Sequence, residues 1–272
     1  MAARLQRPVF KRITGQDLII EYKPGGGGSL IWSAMNSMPD DGYTLIGFNL
    51  PHVIIQPARG AHYKTQDVAG VYIFHYTPSA LIVADDSPYE KLADLIEDAR
   101  KRPRQVVISG SGKGTANHLA QLRFDNLAGI ETTYRAYKGT GESVAALLAG
   151  RVDAAWGYTT VALKHKGDVR VLGVAMEERH PHIPDAPTFR ELNFDMVDGA
   201  YRGIAVPKKT PEAVRRKISQ VFDKVSHDPE LIKQKQALGF SPVFITYDKI
   251  PAFMARKTKE YLDLARRAGL VK

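Results

Sequence analysis

"VVISGSGKGTANHLA", residues 106–120, sets three alternate glycines, Gly110, Gly112 and Gly114, between a β-branched run and a helical pattern. Val106, Val107 and Ile108 read as the end of a buried parallel strand. Ala116, Leu119, Ala120 and Leu127 fall on one helical face that Gly129 stops. The loop between them sits at a helix N-terminus, where unpaired backbone N–H groups and the positive end of the helix dipole favour an anion, phosphate or carboxylate. Lys113 suggests a nucleotide, but a P-loop needs Ser or Thr after its lysine, where Gly114 stands, and a glycine where Val107 stands. The glycines also miss the dinucleotide spacing, being two and two apart rather than two and three. A tight turn that needs small residues for backbone reasons alone is the other reading. Carboxylate capture is the preferred one.

A chain of 272 residues buries a sizeable core, and two domains are expected rather than one. Lys plus Arg at 38 against Asp plus Glu at 29 give a net charge of +9, which favours anionic ligands or partners. The basic residues are scattered: Lys208, Lys209, Arg215, Arg216 and Lys217 alternate with an apolar stripe and read as a solvated face, so nucleic acid is not an expected partner. The absence of cysteine excludes disulfides, thiolate metal sites and cysteine nucleophiles. His180 and His182 flank Pro181 in a loop and read as no metal site, and no cofactor is expected. No stretch is apolar enough to span a membrane, and MAARLQRPVFKRITGQD lacks the apolar core of a signal peptide, so the chain reads as cytoplasmic if Met1 is the true start.

Residues 1–15 pattern as a helix carrying Leu5, Val9, Phe10 and Ile13. Leu18 to Tyr22 then reads as a strand, Pro24 to Gly28 as a second glycine-rich loop, SLIWSAMNSM as a helix and Tyr43 to Phe48 as a strand. Ser87, Pro88 and Glu90 suggest the capped start of a helix with Leu92, Leu95, Ile96 and Ala99. Further strands are expected at 131–134, 152–156, 169–176 and 203–206, with helices bearing Val144, Leu147 and Leu148, and Val214, Ile218, Val221, Phe222 and Val225. Thr210 is expected to cap the latter helix and Asp228 the next. Repeated strand–helix units predict an α/β fold with mostly parallel sheet and ligands beyond the strand C-termini; two glycine loops at such ends suggest one shared cleft.

The order of "GQDLIIEYKPGGGGS", "PDDGYTL", "SGSGKGTANHLA", "YKGTGESVAALLAGRVD", "VRVLGVAMEERHPHIPDAPTFREL", "VPKKTPEAV" and "ARRAGLVK" resembles the substrate-binding receptors of tripartite tricarboxylate transporters, the Bug receptors, over nearly the whole chain. The resemblance implies a two-lobed, periplasmic-binding-protein-like α/β fold, with residues 1–104 and 203–272 in one lobe and 105–202 in the other. It also implies crossover strands, a cleft that takes a small mono- or dicarboxylate, a periplasmic location, a membrane permease as partner, a monomeric state and no catalysis. Carried onto this sequence, the carboxylate loop is Ser109, Gly110, Ser111, Gly112, Lys113, Gly114 and Thr115. Hydroxyls of Ser111 and Thr115 and N–H groups of Gly112, Lys113 and Gly114 are the expected contacts, and His118 lies on the following helix. Asn49 and His52 stand after a strand where the family places a second cleft loop, His52 either as a ligand contact or as a hydrogen-bonded structural residue; Tyr158, Thr159 and Tyr201 complete the set.

Two departures stand out. Gly157, Tyr158 and Thr159 replace an acidic residue that many relatives use for a ligand amino group, which argues against an amino acid. The family's first strand and Pro-Gly-Gly loop would lie before Met1. The expectation is therefore an internal start, with a first lobe prone to associate through exposed strand edges. The rival reading is an α/β enzyme that uses the glycine loop for a phosphate-bearing substrate, but no catalytic set assembles in the sequence, Asp153 and Asp185 being as well explained by turns and caps.

Overall fold

A sixteen-residue strand, β2 (Ala69–Ala84), organises the chain because it is buried from Val71 to Val83. In the computed structural model, which describes residues 2–23 and 25–272, the chain forms two compact units whose boundary falls inside this strand. Unit 1 comprises residues 1–76, 201–237 and 241–272; unit 2 comprises 77–200 and 238–240. Residues 77–104, which the sequence reading joins to the first lobe, thus lie in unit 2. The strand β7 (Gly199–Val206) also passes the boundary, near its start. Met1 and Pro24, on which the readings of the chain start and the first glycine loop partly rest, lie outside the described residues.

Unit 2 is a three-layer sandwich. Its sheet runs β6 (Val169–Val174), β2, β5 (Ala154–Tyr158), β3 (Val107–Ser111), β4 (Thr133–Tyr137). Side chains alternate between two cores. Leu81, Val83, Ala154 and Trp156 face α4 (Leu92–Lys101) and α5 (Ala116–Ala128), whereas Ala80, Ile82 and Ala155 face α6 (Thr140–Leu148). Phe124, Trp156 and Phe189 interlock with ring centroids 5.6–5.9 Å apart. The sheet is mixed rather than mostly parallel: β3 runs parallel to β4 and β5, but β2 is antiparallel to β5 and β6. The parallel set supplies the C-terminal strand ends that matter below.

In unit 1, β1 (Ile46–Asn49) pairs antiparallel with β7, and β2 lies between β7 and β8 (Ser241–Ile245). The amphipathic α1 (Ala2–Thr14) and α8 (Glu212–Ser226) pack through Phe10 and Phe222, 5.5 Å apart. The expected strand Leu18 to Tyr22 is absent: the segment keeps an alternating pattern, with Leu18 turned to the core and Ile19 80% exposed, but makes no ladder. Period-two patterning creates a strand only where a partner edge takes its N–H and C=O groups.

Helix starts differ from expectation for a related reason. α4 begins at Leu92, and the Asp94 carboxylate, not Glu90, accepts the N–H groups of Glu90 and Lys91 at 3.0 and 2.9 Å. Thr210 does not cap α8; its Oγ1 is buried without a hydrogen-bond partner among the described residues. Asp228 does act as expected, accepting the Leu231 N–H at 2.9 Å at the start of α9 (Pro229–Ala237). Leu127 is 40% exposed, and the buried face of α5 runs instead through Ala120, Phe124 and Ala128.

Candidate ligand-binding site

The loop of residues 109–115 lies where the C-terminal end of β3 turns into α5, flanked by the C-terminal ends of the parallel strands β4 and β5. Its three glycines serve different ends. At Gly110 a Cβ would strike the Tyr134 hydroxyl and lie 2.8 Å from the Asn117 Cβ, so the position has no room. Gly114 adopts φ 78°, which a side chain strains. Gly112 has neither constraint: its Cβ would meet only the Thr115 Cγ2, at an ordinary 3.5 Å.

Internal bonds settle which donors the loop keeps for itself. Gly112 donates to the Tyr137 carbonyl at 2.9 Å and Gly114 to His118 Nδ1 at 3.1 Å, so two N–H groups expected to grip a ligand are already engaged. The Thr115 hydroxyl bonds the carbonyls of Ser111 and Gly112 and leaves α5 without a side-chain cap. In consequence the first N–H groups of the helix, on Ala116 and Asn117, have no hydrogen-bond partner among the described residues of the unit. The unengaged donors therefore lie two to five residues beyond these glycines, at the helix start.

Asn117 and Tyr134, which sequence reasoning missed, shape this region. Asn117 Oδ1 accepts the Ser111 hydroxyl while its Nδ2 donates to the Gly157 carbonyl at 3.3 Å, tying the loop to the end of β5. Tyr134 donates its hydroxyl to the Ser111 carbonyl at 2.7 Å and stacks on His118, centroids 4.2 Å apart. Burial pushes the Tyr134 phenol up, so it stays a donor. Because His118 Nδ1 accepts from Gly114, the neutral ring carries its proton on Nε2 and is a donor there. An Asn two residues after Thr115, the last residue of the loop, was the available signal for the latch, but its partner on β5 is forty residues away.

The remaining candidates of unit 2 take varied positions. Ser109 is fully buried with its Oγ 2.7 Å from Ser143 Oγ, and Thr159 is fully buried and donates to the Gly239 carbonyl at 2.6 Å. Lys113 is exposed, and Tyr158, half-buried, ends β5 opposite Ser79. In unit 1, Asn49 ends β1 and faces Arg202 in the ladder, His52 opens α3 (His52–Ala58), and Tyr201 is buried, stacked on Tyr76 at 5.2 Å. Burial first, and the Arg202 charge second, hold His52 neutral with its pKa lowered to about 4. Among the described residues no three His, Asp or Glu gather as a metal site, and no helix is long and apolar enough to cross a membrane.

Known proteins agree on the fold. A protein from Cupriavidus necator, the UPF0065 protein in the gbd 5' region, is 28% identical over 96% of this chain and 80% of its own length; BugT of Bordetella pertussis is 24% identical over 98% and 84%. Among solved structures, an R. palustris protein with adipate superposes with a TM-score of 0.87 at 24% identity, covering 100% of this chain and 93% of that one. MatC from Rhodopseudomonas palustris with bound malate gives 0.80 at 22%, covering 97% and 92%. The profile of the tripartite tricarboxylate transporter family receptor, TctC, matches residues 2–270, and the chain belongs to that family.

Proposed function

We propose that this chain is a periplasmic receptor that captures a small organic carboxylate at the start of α5 and delivers it to a tripartite transporter's membrane permease, without catalysis. The observation that carries the reading is the uncapped helix start at the C-terminal end of β3. Ala116 and Asn117 offer N–H groups there, and the polar loop of Ser111 and Thr115 is braced by Asn117 and Tyr134. Two charge-assisted bonds from these N–H groups, at about 1.5–3 kcal/mol each, supply part of the roughly 8 kcal/mol of micromolar affinity, and the ligand's remaining contacts supply the rest. Membership of the receptor family and the adipate and malate in two fold neighbours support a carboxylate as the guest.

Calorimetric titration with C4 to C8 mono- and dicarboxylates, with ATP as the control, tests it. At least one acid should bind at micromolar affinity and ATP should not. Binding of ATP with silence toward every acid would return the loop to the phosphate reading.

A further inference from the structure

Charge is divided unevenly between the two units. Unit 1 carries 23 Lys and Arg against 12 Asp and Glu, and unit 2 carries 15 against 17, so their net charges are +11 and −2. Carboxylate capture at the start of α5, in unit 2, makes no use of the excess on unit 1. One element shows that excess undiluted: α1 holds Arg4, Arg7, Lys11 and Arg12 and no acidic residue. Val9 is buried with Val225 and Leu231, and Phe10 packs on Phe222, so one face of the helix is closed by α8 and α9. Arg4, Arg7 and Lys11, at i, i+3 and i+7, line the opposite, exposed face.

After Gly15 the chain runs back beside this face. Lys11 Nζ meets the Asp17 carboxylate at 3.0 Å, and the Arg4 guanidinium lies 5.3 Å over the Tyr22 ring. The returning stretch is the one that alternates without making a ladder, and it leaves Ile19 80% and Tyr22 61% exposed next to the cations. Its two acids do not cancel the row: Asp17 and Glu21 pair with Lys11 and Lys23 through exposed contacts of 3.0 and 3.5 Å, which are weak, and no carboxylate pairs with Arg4 or Arg7 among the described residues. An acidic protein surface would answer the arginines and leave Ile19 in water. A bilayer interface answers both, because anionic headgroups attract Arg and Lys while the acyl boundary accepts an aliphatic and an aromatic side chain.

We propose that the exposed face of α1, together with residues 17–23, is a docking surface for an anionic lipid bilayer, with Arg4, Arg7 and Lys11 against the headgroups and Ile19 and Tyr22 at the acyl boundary. The surface lies wholly in unit 1, shares no residue with the loop of residues 109–115, and does not depend on the carboxylate reading. Its attraction adds up over a few charges and fades within a Debye length, so binding is reversible and sensitive to salt.

The test is co-sedimentation of the full chain with vesicles of equal parts phosphatidylglycerol and phosphatidylcholine, against vesicles of phosphatidylcholine alone. Partitioning should be about 20-fold stronger on the anionic vesicles and should fall about tenfold when salt is raised to 0.5 M. Arg4→Gln with Arg7→Gln should lower it about 20-fold and Ile19→Asn about fivefold, while Lys208→Gln with Lys209→Gln, an equal change of charge at an exposed pair before α8, should lower it less than about twofold. All of these side chains are exposed, so the variants should melt with wild type. No binding to the anionic vesicles, equal binding to the neutral ones, or equal losses from the two double variants would overturn the proposal. A loss from Arg4→Gln with Arg7→Gln but none from Ile19→Asn, with soluble polyglutamate competing fully, would also overturn it and assign the face to an acidic protein. Organic acids should bind the arginine double variant as they bind wild type, so failure of this surface and failure of the carboxylate reading are told apart.

Discussion

The two glycine-rich loops, residues 25–28 in unit 1 and 109–115 in unit 2, look alike in sequence and differ in physics. All four glycines of the first have positive φ, at 150°, 54°, 62° and 98°, and lead into α2 (Ser29–Ala34), of only six residues. That loop shows acceptors: the carbonyls of Gly26 and Gly27 take the Gln56 Nε2 at 3.2 Å each. The second loop has one glycine at positive φ and leads into a thirteen-residue helix whose first N–H groups are uncapped. Glycine density marks backbone shape; an anion site needs donors that the fold leaves unengaged.

The largest effect expected from this contrast is at Gly112, whose Cβ the fold accommodates. Gly112→Val, whose Cβ would meet only the Thr115 Cγ2, should keep the melting temperature within about 2 °C while weakening carboxylate binding 100-fold or more, about 2.7 kcal/mol, if the proposed site at the start of α5 holds the ligand. Normal binding in a folded variant would make the loop structural only.

Next in size is the opposite outcome in unit 1. A Cβ on Gly28 would lie 2.5–2.9 Å from the ring of Trp32, which is 2% exposed and donates Nε1 to the Gly47 carbonyl at 3.0 Å. With φ at 98° as well, Gly28→Val should cost about 2–4 kcal/mol of stability by urea denaturation. If stability survives, positive φ is not what those glycines supply.

Asn117→Ala should lie between the two loops in character. It removes the acceptor for Ser111 and the donor to Gly157, so stability should fall by about 1–2 kcal/mol and affinity about tenfold as the loop loosens. A loss of stability with affinity unchanged would separate the latch from the site.

How much of this was legible follows from the range of each interaction. The helix at 116–128 and its stop at Gly129, φ 61°, rest on a local period and a local backbone need, and both were readable. The order of the loops was readable through the family motifs. The strand at 18–22 was not, because its alternation says nothing of a neighbour to pair with. The donors at 112 and 114 were not readable either: they are taken by Tyr137 from a neighbouring strand and by His118 across one helical turn, and neither allocation has a pattern in sequence.

The smallest effect sharpens the comparison at the other end of the same helix. Whereas the start of α5 leaves its first N–H groups uncapped, Asp125 in its last turn sets a carboxyl against the negative end of the dipole. Burial raises its pKa from 3.8 to about 6, opposed by hydrogen bonds from the Thr132 hydroxyl and N–H. Between about pH 4 and 6 the folded chain then holds a proton there that the unfolded chain has released, so this group's contribution to stability falls as pH rises through the window. Asp125→Asn keeps an acceptor for Thr132 and removes the titration. Relative to wild type it should gain stability between pH 4 and pH 7, by about 1–3 kcal/mol in urea midpoints converted through a common m-value. A difference between variant and wild type that stays constant over that range would show that Asp125 ionises as freely in the folded chain as in the unfolded one, and that only the N-terminal end of α5 is electrostatically marked.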